Sequence, residues 1–381
     1  MSSDESCSRR HPRGPKQTLA ERIAERRTPY PDPEPIPLAD LPDKKVDGTS
    51  HSSQAEIQEF EDSEEVIDAK IKELADFIRA SKHAVVFTGA GISTSASIPD
   101  YRGPKGVWTM RDRGQKLDRS KIKTLEEAEP TLVHRSLCKL MDEGHCKYVV
   151  STNVDNLHVR SGLQMTEQVS ELHGNVFVEY CISCKRQFLR PFDTRKNVVI
   201  DKSLVTEETR EHVRHLTGRR CEDCGGALRD NIVHFGENLI EDQLERAMLH
   251  SQQCDLALVM GTSMRVSPAC NLPKHSYKHN DGHLVIINLQ KTPFDDFCSI
   301  RFWARTDVVM AKLMDELSLP IPDYDPVVWT RKNPSFSPLP EGSSLPDSSS
   351  SDSRVIYVSL SPPSASSSSS GPSATVSCSI Q

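Results

Sequence analysis

The chain has 381 residues, 36% of them hydrophobic, with 47 Lys and Arg against 54 Asp and Glu, a net charge of -7. That length holds one large domain or two ordinary ones around a real core, and the acidic balance argues against a wholesale nucleic-acid binder. No apolar run approaches membrane-spanning length and Met1 is followed by polar residues, so the expectation is a protein without membrane contact that stays inside the cell.

Residues 1–65 combine Arg9, Arg10, Arg13, Arg26 and Arg27 with a proline-rich run over 29–42 and an acidic run over 59–65. Such composition buries little apolar surface and predicts a disordered N-terminal tail, with room for a short helix over 18–27. The arginines read either as a nuclear-import or chromatin-contact patch or as a solvated tail. From 66 to 80, Val66, Ile67, Ile71, Leu74, Ala75, Phe77 and Ile78 recur at helical spacing, and this helix leads into an apolar strand at Val85. The strand ends in Thr88-Gly89-Ala90-Gly91-Ile92-Ser93, a tight turn whose backbone can approach a pyrophosphate, although strand-to-helix turns also need glycine for steric reasons alone. A polar lid from Ser93 to Arg102 follows. A helix is expected over 131–141, then a buried strand over 147–151 that delivers Thr152, Asn153, Asp155, Asn156 and His158. Two more apolar strands, 256–260 and 284–288, end in Gly261-Thr262-Ser263 and Asn288-Leu289-Gln290, before a last helix over 307–317. Strands that repeatedly end in polar turns predict an α/β, Rossmann-like, doubly wound parallel sheet whose strand-end loops share one site. Residues 323–381 are rich in Ser and Pro and predict a disordered C-terminal tail open to phosphorylation.

Four of the eleven cysteines form two CxxC pairs, Cys181 with Cys184 and Cys221 with Cys224. Two such turns complete a closed tetrahedral thiolate shell, which favours one structural zinc ion (Zn) over a redox pair or an iron-sulfur cluster. The pairs fall in a small zinc-binding module, about 176–230, inserted in a domain expected to run from 66 to 322. The segment between them carries Lys185, Arg186, Arg190, Arg195, Lys196, Arg210, Arg214, Arg219 and Arg220, read as a solvated loop or, second, as a contact for nucleic acid or an acidic partner. Just before the module, His173-Gly174 presents an imidazole, the side chain whose ordinary pKa lies nearest neutrality.

Taken whole, GAGIS over 89–93, the IPDYRGPKGVW run over 98–108, the strand-end Asn and Asp, His173-Gly174 and the paired CxxC motifs resemble the sirtuin family of NAD-dependent protein-lysine deacylases. Tyr101 to Thr109, Leu157 to Gly162 and Leu228-Arg229-Asp230 resemble its class IV branch; the compact second CxxC, 232–237 and 288–296 lean toward that branch's seven type, and 268–273 toward its six type. The resemblance implies transfer of an acyl group from lysine to ADP-ribose with release of nicotinamide, and NAD as the consumed cosubstrate. It implies His173 as general base, with Asn153 and Asp155 ordering the ribose and the carboxamide. Gly89, Ala90, Gly91, Ser93, Thr94, Asp100, Tyr101, Arg102, Trp108 and Thr152 would line the cofactor pocket, and Gly261, Thr262, Ser263, Asn288, Gln290 and Thr306 would hold the adenosine half. Val233, His234, Phe235 and Gly236 would pair with an extended acyl-lysine protein or peptide, histone tails among them. Nuclear residence is implied, with cytoplasmic residence besides, and chromatin or nucleic acid as a partner through the basic segments. A mono-ADP-ribosyltransferase and a weakly active NAD-binding chromatin scaffold are the alternatives. Two departures stand out: Thr152 replaces the family's Gln, which implies reduced NAD affinity or turnover, and Asn156 replaces its Gly, which a left-handed backbone would accommodate.

Overall fold

The computed structural model describes residues 21, 27–37, 54–279 and 282–333. Arg9, Arg10, Arg13 and Arg26, most of the expected helix over 18–27 and the tail beyond 333 lie outside the described residues. The folded region begins before the expected boundary at 66. Strand β1 (Glu34–Pro35) pairs antiparallel with β2 (Phe60–Glu61), with the short helix α1 (Gln54–Ile57) ahead of β2. This largely polar segment attaches by backbone pairing and ion pairs as well as by the buried Ile57: the Phe60 amide donates to Leu289 O at 2.9 Å, buried Asp62 meets buried Lys70 at 2.6 Å, and Glu56 meets Arg265 at 2.6 Å. Composition could not reveal this, since hydrogen bonds carry no hydropathy signal.

Helix α2 (Glu64–Ala80) starts where Ser63 accepts from the Val66 amide, and its apolar stripe is buried as its periodicity requires. Then follow β3 (Ala84–Thr88), a seven-residue 3₁₀ turn over Ala90–Ala96, α3 (Val107–Asp112), α4 (Leu132–Asp142), β4 (Tyr148–Ser151), α5 (Leu157–Arg160) and β5 (Val169–Glu171). A small unit of β6 (Val178–Cys181), β7 (Gln187–Leu189), β8 (Leu216–Arg220) and β9 (Ala227–Asp230) interrupts the series. The chain returns through α6 (Glu241–Gln253), β10 (Leu256–Met260), α7 (His275–His279), β11 (His283–Ile287), β12 (Ile300–Phe302) and α8 (Thr306–Glu316), and ends in α9 (Val328–Lys332). The described fold thus continues past 322; Asn333 is buried and accepts from the Met165 amide at 2.8 Å.

The large sheet has the order β12-β11-β10-β3-β4-β5, every pair parallel. Both faces are covered, so its strands read as continuous apolar runs instead of alternating ones. Ala84, Val86, Leu258 and Val285 pack on the α2, α4 and α8 side, while Val85, Phe87, Ala257 and Ile286 pack on the α6 and α7 side. The chain lays β4 and β5 to one side of β3, then crosses to lay β10, β11 and β12 on the other. The order therefore reverses between β3 and β10, and a crevice opens at the carboxyl ends of those two strands. The small unit is an antiparallel sheet in the order β7-β6-β9-β8, as expected for an inserted module.

Asp62→Ala leaves the Lys70 ammonium buried without its carboxylate and is expected to destabilise the fold by about 3–5 kcal/mol in urea unfolding. Lys70→Met leaves the buried Asp62 carboxylate with the Trp303 amide but no cation and is expected to cost a similar amount, whereas the double variant Asp62→Leu/Lys70→Met, which removes both charges, is expected to cost less than a third of the two single losses added together. Single losses that simply add in the double variant would show that the N-terminal segment does not depend on this pair.

Candidate active site

The crevice holds a cavity of about 330 Å³, lined among others by Gly89, Ala90, Gly91, Asp100, Tyr101, Arg102, Trp108, Thr152, Asn153, His173, Val233, His234, Phe235, Gly261, Thr262, Ser263, Asn288 and Gln290. Most of these loops, far apart in sequence, meet there because they leave the same edge of one parallel sheet, while residues 232–235 reach it from the end of β9 in the small sheet. The glycines act by their size. A Cβ on Gly89 would sit 2.6 Å from Thr262 Cβ, and one on Gly91 would sit 2.7 Å from Gly261 Cα. The β3 turn and the β10 turn are packed backbone to backbone, with the Gly91 amide donating to Gly261 O at 2.8 Å.

Five of the expected residues lie off the cavity. Ser93 is not part of a lid: it is fully buried and donates to Asp155 Oδ2 at 2.6 Å. Asp155 is also buried, and its Oδ1 accepts the Leu157 amide at 3.0 Å, so both its oxygens face the protein. Thr94 is exposed and donates to Gly91 O, Thr306 is buried at the start of α8, and Gly236 turns the chain at φ 88°. Asn153 takes over the junction: its Nδ2 donates to Gly89 O at 3.1 Å and lies 3.3 Å from Ser93 Oγ, while its buried Oδ1 has no protein partner. An unsatisfied buried acceptor on a cavity wall calls for a ligand donor.

His173 follows β5, held by Gly174 at φ 82°, where a side chain would collide with Asn231 O at 2.1 Å. Its Nδ1 lies 3.2 Å from the Thr152 carbonyl oxygen. A carbonyl only accepts, so Nδ1 carries the hydrogen and Nε2 keeps the lone pair of a base. Burial pushes the ring below the ordinary histidine pKa, with the Thr152 carbonyl opposing it. The Thr152 hydroxyl meanwhile donates to Thr88 O at 3.1 Å, back into the sheet. Asn156 takes the left-handed conformation at φ 65°. His158 is buried against Thr88 Oγ1 at 2.8 Å, away from the cavity.

Tyr101, Trp108 and Phe235 form an aromatic wall, with centroid spacings of 5.0 and 5.6 Å, and the Arg102 guanidinium lies 4.8 Å over Trp108. Phe235 is 62% exposed at the mouth, where a partner's apolar group could cover it. Arg301 is missing from the expected set, yet it shapes the far end. Buried and stacked 3.7 Å from the Trp303 ring, it donates to Asn288 O at 2.7 Å and Gln290 O at 2.6 Å. Arg195, Arg265 and Cys270 also line the cavity; no local motif marks them, because they arrive from the inserted module and from the loop after β10.

In the small unit, Cys181, Cys184, Cys221 and Cys224 bring their sulfurs within 4.8 Å of one another. The 3.5 and 3.6 Å pairs are far too long for disulfides, and near the edge of about 3.8 Å that four thiolates make around a zinc ion at about 2.3 Å. An all-sulfur, four-donor set with no open position fits a structural zinc. Several of the basic residues nearby are paired: Arg190 and Arg219 with Glu179, Arg195 with Asp193 and Arg186 with Asp223 inside the module, and Lys196 with Glu126 outside it.

The Sir2 family model matches residues 115–268. The Drosophila melanogaster NAD-dependent protein deacetylase Sirt6 is 39% identical over 279 residues, covering 71% of this chain and 85% of the relative. The chain belongs to the sirtuin family. This sirtuin is also 43% identical over 284 residues to NAD-dependent protein deacetylase sirtuin-7 of Mus musculus, covering 70% of the chain and 64% of the relative. An NAD-dependent protein deacetylase of Thermotoga maritima is 35% identical over 247 residues, covering 61% of the chain and 92% of the relative. The present chain spans 52% of the length of NAD-dependent protein deacetylase SRT1 of Oryza sativa subsp. indica, so it matches between half and two thirds of the longer relatives. Among the described residues of this sirtuin no helix is long and apolar enough to cross a membrane.

Metal analysis of the purified chain is expected to find one zinc per molecule, released on titration of four thiols. Cys221→Ser should lose the metal and unfold the β6 to β9 unit, seen as rapid proteolysis between 181 and 230. A chain free of metal that resists proteolysis equally well would rule the structural ion out.

Proposed function

We propose that the chain is an NAD-dependent protein-lysine deacylase that transfers an acyl group from lysine to ADP-ribose and releases nicotinamide. The observation that carries this reading is His173: a cavity-lining imidazole with Nδ1 committed to the Thr152 carbonyl, leaving Nε2 as the base. The β3 and β10 turns would hold the dinucleotide, Asn153 Oδ1 would accept from it, and the Asn288 to Gln290 loop would face its adenosine end. His173 would take the proton from a ribose hydroxyl once the acyl-lysine oxygen has displaced nicotinamide at the neighbouring carbon. The names of the relatives, NAD-dependent protein deacetylases, support the same chemistry.

Val233 offers a peptide-facing wall tied to the base, since its amide donates to His173 O at 3.0 Å. An extended acyl-lysine segment laid along 232–235 would place its acyl group beside Tyr101, Trp108 and Phe235. We take nuclear proteins, histone tails among them, as the substrates, on the likeness to the seven-type branch. The internal pairing of the module's basic residues weighs against nucleic acid as a main partner.

Incubation with NAD and an acetyl-lysine peptide is expected to yield O-acetyl-ADP-ribose by mass spectrometry. His173→Ala is expected to lower that rate by about 10²–10⁴. Because burial lowers the His173 pKa, the ring stays neutral further into acid, and the acid limb of kcat/KM is expected below the ordinary value of about 6.5. Protein-bound ADP-ribose as the main product, or a His173→Ala variant at full rate, contradicts the proposal.

The Thr152 hydroxyl is turned into the sheet, so a Thr152→Gln side chain is expected to extend the polar wall and lower the KM for NAD. An unchanged KM and kcat would show that the departure at this position is neutral.

A further inference from the structure

His215 ends a short 3₁₀ segment, Arg210–His215, in the cysteine module, just ahead of β8. It is buried, with Nδ1 2.9 Å from Asp230 Oδ1 and Nε2 3.0 Å from Glu237 Oε1. Carboxylates only accept, so both contacts are hydrogen bonds only when both ring nitrogens carry protons. A neutral imidazole satisfies one carboxylate and turns a lone pair toward the other.

The same two carboxylates hold the chain that walls the cavity. Asp230 Oδ1 accepts the Ile232 amide at 3.0 Å, and the Glu237 carboxylate accepts the His234 amide at 2.8 Å. The His234 ring stacks on His215 with centroids 4.9 Å apart, and Ile232, Val233, His234 and Phe235 all line the cavity. His215 thus spans from the module's 3₁₀ segment to both ends of the segment 230–237.

We propose that His215 is a positioning residue for the acylated peptide: a cationic brace that holds 230–237 in its peptide-binding conformation while both ring nitrogens are protonated. This rests on the deacylase reading. The groups facing it are Asp230 and Glu237 in contact, His234 stacked above, and His212 on its own segment, itself bonded to Arg229. The hydrogen bond to Asp230, with that to Glu237, outweighs burial and raises the His215 pKa above the ordinary histidine value. A raised pKa in the folded state means that the brace is complete below it and is lost as pH rises through it. Peptide affinity therefore falls toward alkaline pH.

The test measures binding directly, by fluorescence anisotropy of an acetyl-lysine peptide blocked at both ends and free of His and Cys, on the full chain without NAD. Between about pH 6 and pH 9 the wild-type dissociation constant is expected to rise about three- to tenfold, the scale of one lost charged hydrogen bond transmitted in part. His215→Gln donates from a single nitrogen and turns an acceptor oxygen the other way, so it cannot bond both carboxylates and is expected to show the weaker value at every pH. Glu237→Gln can donate to a neutral Nε2 while its oxygen keeps the His234 amide, so its affinity is expected to stay tight and flat. Zinc content and melting temperature establish that each variant is folded. A flat wild-type profile, or a Glu237→Gln variant with the wild-type slope, overturns the brace. A folded protein that binds the peptide at no pH overturns the deacylase reading, and the brace with it.

Discussion

The site depends on one steric constraint: two backbones must touch where the strand order reverses. Gly89 and Gly91 leave β3, Gly261 leaves β10, and the gap between the turns is too small for a single methyl group at either glycine. The hydrogen bond from the Gly91 amide to Gly261 O closes that contact. Parallel strands bring all their carboxyl ends to one edge, so fixing these two turns also fixes the starting points of the Thr152 and Asn288 loops beside them.

Polar groups then lock the loops in sequence. Asn153 bridges the β3 turn and Ser93, and Ser93 passes the connection to Asp155, which caps the start of α5. On the other side the buried Arg301 gathers the carbonyls of Asn288 and Gln290. Gln290 in turn donates to Arg102 O at 3.0 Å, so the far loop is joined to the aromatic wall. Burying such groups is costly unless each is paired, and here nearly every donor near the cavity has a partner. The Asn153 oxygen, on a residue that lines the cavity, is buried without a protein partner.

The inserted unit contributes more than a metal site. It supplies His215 to the segment 230–237, and Val233 in that segment bonds to the backbone of His173. The N-terminal segment acts from the opposite side through Phe60 and Leu289. Two polar attachments of low hydropathy thus hold two walls of one cleft, which is why neither stands out in a reading of apolar periodicity.

Periodicity and spacing alone determine the parallel α/β class, the strands ending at Thr88, Ser151 and Met260, and the four-cysteine cluster, because burial on both faces and thiolate geometry impose local patterns. The sirtuin motifs mark most of the cavity's lining in the same way. Only the tertiary structure decides that Ser93 and Asp155 are internal supports, that Thr94 and Thr306 stand off the cavity, and that residues 27–37 and 54–65 belong to the fold. It alone places Arg301 and His215 behind the loops that line the cleft. These assignments rest on hydrogen bonds between residues distant in sequence, whose partners no local pattern of side chains can name.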